Sequence, residues 1–312
     1  MNNIIIEFAD DCRTRGYSQR TVESYTGHVK YFMERHTLRS QVGVDELQIF
    51  LIHLRDERKL TLATINAYFA SLSTFFDYLE FEGILQKHDI ARFRKRYLRH
   101  YKKNHTPEKK QLISIQQMKD FIGSIKPLEH QTLIIFLAKT GIRRRELTTL
   151  DRSDISMQNN TVLLKPTGKR SNRLIYFDDE CKAFLEEYLK TRTDDNEALF
   201  LSSAGSRITR STVYRIVTDY AQKFGIHDPK GHVHEKFTPH CCRVWYTTHL
   251  RRSGMSKDFI KELRGDTRGE AIDIYDQIGA DELKVAYMKH IPQLEVKPQL
   301  SQTNHNQVIQ DK

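Results

Sequence analysis

Three short stretches of this chain hold residues whose types and spacing suit chemistry at a phosphate. In Thr140-Gly141-Ile142-Arg143-Arg144-Arg145-Glu146-Leu147, Arg143 falls just past a helix end, where the chain must reverse, and Glu146 opens the next helix. A carboxylate there suits the positive end of the helix dipole. Of three consecutive arginines, one at a fixed turn can be held by packing, and a guanidinium forks onto phosphate oxygens as lysine cannot. His240 and Arg243 are three apart on an expected helix, so their side chains share a face. That pair can grip a phosphate and carry a proton beside it. Tyr275, in the turn-flanked stretch 263–278, is a potential nucleophile, since a tyrosine can attack phosphorus and hold it covalently.

The elements that must position these residues change character along the chain. Most of residues 1–90 reads as helix. Ser18-Gln19-Arg20-Thr21-Val22-Glu23-Ser24-Tyr25 is echoed by Thr61-Leu62-Ala63-Thr64-Ile65-Asn66-Ala67-Tyr68, each led by a hydroxyl able to cap a first turn. Val22, Tyr25, Val29 and Phe32 then share one face, and Ile65, Phe69, Leu72, Phe76 and Leu79 form a seam at helical spacing. Leu47, Leu51 and Leu54 mark a helix between them. These stripes predict a small helical bundle. Residues 91–110 read as a basic linker in which Phe93, Tyr97 and Tyr101 are interleaved with lysines and arginines, a pattern suited to tracking a phosphate backbone.

Beyond 111 the pattern is mixed. The apolar run 129–141 predicts a helix buried on all sides, with Gly141 to end it. Residues 161–165 and 172–177 are β-rich and flank Pro166-Thr167-Gly168-Lys169-Arg170-Ser171, which predicts a hairpin with a basic tip. Helices are expected over 179–190, 210–224, 241–252 and 256–263, and an amphipathic one over 280–291. The polar tail, 293–312, is expected to be disordered.

Bulk properties narrow the partner. A hydrophobic share of 38% supports a core, and a formal net charge of +10 suggests a polyanion, either nucleic acid or an anionic membrane surface. No apolar run approaches the roughly 20 residues of a membrane span, and the N-terminus has acidic flanks unlike a signal peptide. Cys12, Cys181, Cys241 and Cys242 form no disulfide framework, which points to a reducing, cytoplasmic compartment. His227, His232, His234, His240, Cys241 and Cys242 cluster in sequence, but their spacings fit no structural zinc pattern. The acids show no arrangement suited to Mg²⁺, as a metal-dependent nuclease or transposase would need. Arg264-Gly265-Asp266 reads as part of the tyrosine segment, not as an adhesion signal.

Thr140-Gly141-x-Arg143-x-x-Glu146-Leu147, His240-x-x-Arg243 and Gly265-x9-Tyr275, in that order, resemble the tyrosine recombinases of the phage-integrase type, over about residues 1–290. The compact Xer-like and archaeal integrases are the nearer match, no extra arm-binding domain being expected ahead of the bundle. The resemblance implies a mainly α fold with a small antiparallel β-sheet. Residues 1–90 would be a helical, SAM-like core-binding domain, 91–110 a linker, 111–292 an α+β catalytic domain and 293–312 a tail. It further implies a clamp around double-stranded DNA, a homodimer on one core site, a homotetramer at synapsis, and exchange of the helix 280–291 between protomers. No membrane, metal or ATP is implied.

The site residues carry over position by position. Arg143 and Arg243 would clamp the scissile phosphate, His240 would assist proton transfer, and Tyr275 would attack to give a 3′-phosphotyrosyl DNA and a free 5′-hydroxyl. A hairpin lysine would protonate the leaving oxygen. Lys165 and Lys169 are both candidates, the spacing from Arg143 favouring Lys165. Glu146 matches a supporting acid. Two positions depart from the pattern: Asp266 stands where relatives carry His or Trp, and Val244 where they commonly carry His. A carboxylate near a phosphate is repelled unless it pairs with a cation or is protonated, so Asp266 is expected on an active-site Arg or Lys, or protonated on the phosphate. It also leaves open a DNA-binding homologue impaired in catalysis.

Overall fold

Hydroxyl caps start the bundle helices where the sequence places them. In the computed structural model, Ser18 accepts from the Thr21 amide and Thr61 from the Thr64 amide, each satisfying a first-turn donor. The structure describes residues 2–36, 41–98, 110–165, 173–266 and 278–298. The chain divides into two units, Met1–Pro107 and Glu108–Lys312.

In the first unit, α1 (Asn2–Thr14), α2 (Gln19–Met33), α3 (Val44–Ile52) and α4 (Leu62–Phe81) close on one core. Val22, Val29 and Phe32 meet Ile65, Phe69, Leu72, Phe76 and Leu79 there, while Tyr25 packs at its edge. Burying a side chain such as Phe69 contributes about 1.5–3 kcal/mol. Leu47, Leu51 and Leu54 are buried, although the helix widens after Ile52 into a π-type turn over His53–Glu57. A two-residue parallel pair, β1 (Gln41–Val42) with β2 (Lys87–His88), has no signal in the sequence.

The stretch assigned to a basic linker belongs to this unit over its first residues. A short helix, α5 (Ile90–Phe93), continues into a wide turn over Arg94–Leu98. Phe93 is buried and stacks on Phe69, and Gln48 Nε2 donates to the Tyr97 hydroxyl at 2.7 Å. Apolar burial therefore places Phe93 in the core and not, as expected, among the basic residues facing a phosphate backbone. Tyr101 lies outside the described residues.

The second unit opens with α6 (Ile115–Gly123) and α7 (Leu128–Thr140), the latter buried along nearly its whole length as its composition predicts. A three-stranded antiparallel sheet follows in the order β3 (Ile155–Ser156), β4 (Thr161–Leu164), β5 (Arg173–Tyr176). Leu164 pairs with Arg173, which places Arg173 first after the hairpin tip. That tip, 166–172, with Lys169, lies outside the described residues. Next come α8 (Arg144–Thr148, between α7 and the sheet), α9 (Asp179–Lys190), α10 (Arg210–Lys223), α11 (Pro239–Arg252), α12 (Lys257–Arg264) and α13 (Ala280–His290). α11 starts two residues earlier than expected, because Pro239 suits a first helical turn.

Part of the tail departs from the expected disorder. Leu294 is buried, and the amides of Leu294 and Val296 donate to the Glu180 carboxylate at 3.0 and 2.7 Å. Lys139, fully buried in α7, pairs with Asp178 and Glu180 and donates to the Pro292 carbonyl at 2.7 Å. A buried ammonium needs such partners, and here they anchor residues 292–296. Residues 299–312 lie outside the described residues. Among the described residues no helix is long and apolar enough to cross a membrane.

Candidate active site

Three consecutive arginines take three different fates at the end of α7. Gly141 adopts φ +57°, a left-handed turn that ends the helix, and a Cβ there would lie 2.3 Å from the Tyr246 ring. The reversal points Arg143 inward. Arg144 lies over the Tyr214 ring, and Arg145 is exposed. Glu146 caps the turn by accepting from the Arg143 amide at 2.9 Å.

Arg143 and Arg243 converge on main-chain carbonyls at two helix ends. Arg143 Nη1 donates to the Arg264 carbonyl at 2.8 Å, and Arg243 Nη2 donates to the same oxygen at 2.8 Å. Arg243 Nη1 donates to the Gly141 carbonyl at 2.6 Å. Both carbonyls close helices that end on a left-handed glycine, Gly141 after α7 and Gly265 after α12. The negative end of a helix dipole suits a guanidinium.

Glu146 fastens this arrangement from below. Its carboxylate receives Arg143 Nη1 at 3.1 Å and both terminal nitrogens of Arg173 at 2.9 and 3.0 Å. Burial alone pushes the Glu146 carboxyl up, but the Arg173 and Arg143 guanidiniums outweigh it and hold the group below its ordinary range. Arg173 also donates to the Leu263 carbonyl at 3.1 Å. Sequence reasoning missed this residue. Its one signal is the register that places it beside the hairpin tip, and it is hidden among the basic residues of that tip.

A cleft of about 280 Å³ opens over the two arginines, lined by Ile142, Arg143, Arg144, Tyr214, Thr238, Pro239, His240 and Arg243. The N-terminus of α11 faces it, adding the positive end of a dipole. His240 is held below its ordinary pKa by burial and by Lys110, Arg243, Arg264 and Arg143, so it is neutral at pH 7. Arg243 is brought down to about 9 by burial and then by Arg143 and Arg264. Cations crowded in this way are relieved by an anion.

Asp266 does not line the cleft but meets the same two arginines. Arg143 Nη2 donates to its Oδ1 at 2.8 Å, and Arg243 Nη2 and Arg264 Nε stand 3.5 and 2.8 Å from its carboxylate. Of the two options for this carboxylate, the structure has the ion-paired one. Lys165 is placed elsewhere: it does not line the cleft and is paired with Asp151 and, at 3.1 Å, Asp154. Tyr275 lies outside the described residues. Val244 is half-buried on α11. Among the described residues no three His, Cys, Asp or Glu side chains gather as a metal ion would need.

Residues 108–281 match the phage integrase family, and residues 4–82 match the phage integrase N-terminal SAM-like domain. Tyrosine recombinase XerA of Pyrococcus furiosus is 28% identical over 288 residues, covering 91% of this chain and 93% of the relative. Tyrosine recombinase XerC of Lactobacillus delbrueckii subsp. bulgaricus is 26% identical over 293 residues, covering 89% and 95%. The Tn1549 transposon integrase in complex with transposon right end DNA shares the fold with a TM-score of 0.69 at 19% identity, covering 90% of this chain and 97% of that one. A lambda integrase dimer bound to a COC′ core site gives 0.68 at 16% identity, covering 90% and 80%. The matched segments, lying where the helical bundle and the arginine cleft lie, establish that the chain belongs to the phage integrase family, the tyrosine recombinases.

Proposed function

We propose that the protein is a site-specific recombinase that cuts and rejoins double-stranded DNA through a 3′-phosphotyrosyl intermediate. The observation that carries this reading is the convergence of Arg143 and Arg243 on one carbonyl beneath a cleft that His240 also lines. Two guanidiniums so placed clamp a scissile phosphate and stabilise the charge that gathers on its oxygens as the nucleophile attacks. The Tyr275 oxygen forms the new bond to phosphorus, and its proton passes to the neutral imidazole of His240. The bond to the 5′-oxygen breaks, and that oxygen takes a proton from a hairpin lysine. Lys165 and Lys169 remain the two candidates for that donor, Lys165 starting from its pairs with Asp151 and Asp154. The phosphotyrosyl bond conserves the energy needed for rejoining, so the cycle calls for neither ATP nor metal.

The partners follow from the same reading: a homodimer on one core site and a homotetramer at synapsis, acting in the cytoplasm. α13 is our candidate for exchange between protomers. Leu283 and Tyr287 are buried in a cluster with Tyr176 and Tyr246, a seat that a second copy's helix can fill equally well.

A nicked suicide duplex carrying DNA from the host locus tests the reading. Wild-type protein is expected to give an SDS-resistant protein–DNA adduct, and Tyr275→Phe to bind the duplex without forming one. An adduct from the Phe variant removes Tyr275 as nucleophile. Asp266 on the clamp favours a second reading, a DNA-binding homologue impaired in catalysis. Tight duplex binding by wild-type protein with no adduct would select it.

A further inference from the structure

Two of the three arginines that line the cleft, Arg143 and Arg243, already hold an anion. Asp266 Oδ1 accepts from Arg143 at 2.8 Å and stands 3.5 Å from Arg243. We propose that Asp266 is a built-in competitor for the phosphate clamp: without DNA its carboxylate occupies Arg143 and Arg243, and a DNA phosphate enters by taking its place while the carboxylate retreats onto Arg264. This rests on the reading of the cleft as a phosphodiester site.

The retreat has somewhere to go. Arg264 Nε lies 2.8 Å from Asp266 Oδ2, yet the two are not aligned as a hydrogen bond. Among the described residues this buried donor has no hydrogen-bond partner. A turn of the carboxylate towards Arg264 aligns that bond while freeing Arg143 Nη2. The exchange also has a driving force. Among the described residues, the carboxylates paired with Arg143, Arg173, Arg243 and Arg264 are those of Glu146 and Asp266, two fewer than the guanidiniums. Arg243 is still brought down to about 9 although Asp266 acts to raise it, so the internal carboxylate satisfies the cluster only in part. A phosphodiester, whose charge grows during attack, satisfies it further.

An occupied clamp lowers apparent affinity by the fraction of molecules in which it is free. If Asp266 holds it nine-tenths of the time, the loss is about tenfold. Asp266→Asn keeps the shape and removes the charge. Expected is about tenfold tighter binding, both of a short duplex by fluorescence anisotropy and of inorganic phosphate by calorimetry. Arg264→Ala is expected to weaken duplex binding in the wild-type background and to have little effect in Asp266→Asn, because Arg264 acts through the carboxylate. Unchanged or weaker binding by Asp266→Asn overturns the proposal and makes Asp266 a fixed orienting group. An Arg264→Ala loss that persists in the Asn background overturns the retreat. Arg143→Ala is the control: if it leaves duplex binding and adduct formation intact, the phosphodiester reading itself fails. Should thermal melting show Asp266→Asn unfolded, Asp266→Ser takes its place with the same outcomes.

Discussion

Arg143 and Arg243, a hundred residues apart in the chain, donate to one oxygen, the carbonyl of Arg264, each at 2.8 Å. That shared acceptor fixes both guanidiniums, so on the proposed reading their spacing is set before a phosphate arrives. Preorganised donors of this kind need no rearrangement as charge develops.

Arg143→Lys tests that preorganisation. One ammonium cannot reach Glu146, the Arg264 carbonyl and Asp266 together, as the planar fork does. The rate of covalent adduct formation on a nicked duplex is expected to fall about 100- to 1,000-fold, with duplex affinity changed far less. An equal fall in both would mean that Arg143 serves ground-state binding alone.

Arg173→Ala should be felt as lost stability. It strips Glu146, only 5% exposed, of two hydrogen bonds and leaves a buried charge that Arg143 covers in part. Removing one partner of a buried pair costs about 3–5 kcal/mol, and the remaining arginine places the expected loss near the lower end. Urea unfolding measures it, and a loss within error would show that Arg173 does not brace the site. Glu146 also sets a pH signature. Its folded pKa is depressed from 4.5, so its contribution is full above that value and is lost as pH falls through the depressed one. The stability difference between wild type and Glu146→Gln should therefore shrink on acidification, and a constant difference would contradict the ion-pair account.

Gly141→Ala combines two penalties. The backbone there is left-handed, and the added methyl meets the Tyr246 ring at 2.3 Å. The expected destabilisation is about 2–4 kcal/mol, together with slower adduct formation, since the Gly141 carbonyl holds Arg243. A thermal melt matching wild type would mean that Tyr246 moves aside at no cost.

Duplex affinity should fall steeply with salt. Each neutralised phosphate contributes about −0.9 to the slope of log affinity against log salt, so a grip on five or more phosphates gives a slope steeper than about −4. The net charge of +10 and the arginine cleft both call for such a dependence. A flat response would sink the DNA reading.

What could be read from the sequence was governed by local signals. Ser18 and Thr61 announce their helices, the apolar run before Gly141 announces a buried helix, and β4 and β5 flank a Pro-Gly tip. The site was legible where a turn and a helix face arrange it, at Arg143 and at His240 with Arg243. It was not legible where only the tertiary fold joins residues. Arg173 reaches Glu146 across 27 positions, and nothing in its neighbours marks it out from other arginines. Lys139 looks like a solvated lysine at a helix end, yet it is fully buried on Asp178 and Glu180. Phe93 looks like a ring in a basic arm, yet it is core.

The anchor that the two arginines share belongs to the main chain. A change of side chain at residue 264 leaves its carbonyl in place, so inherited drift there can alter what surrounds the clamp without untying it. The vulnerable letters are the glycines that follow each helix, whose mutation would move an acceptor while leaving every arginine spelled correctly. Damage of that kind would be invisible to any search for the residues that meet the substrate.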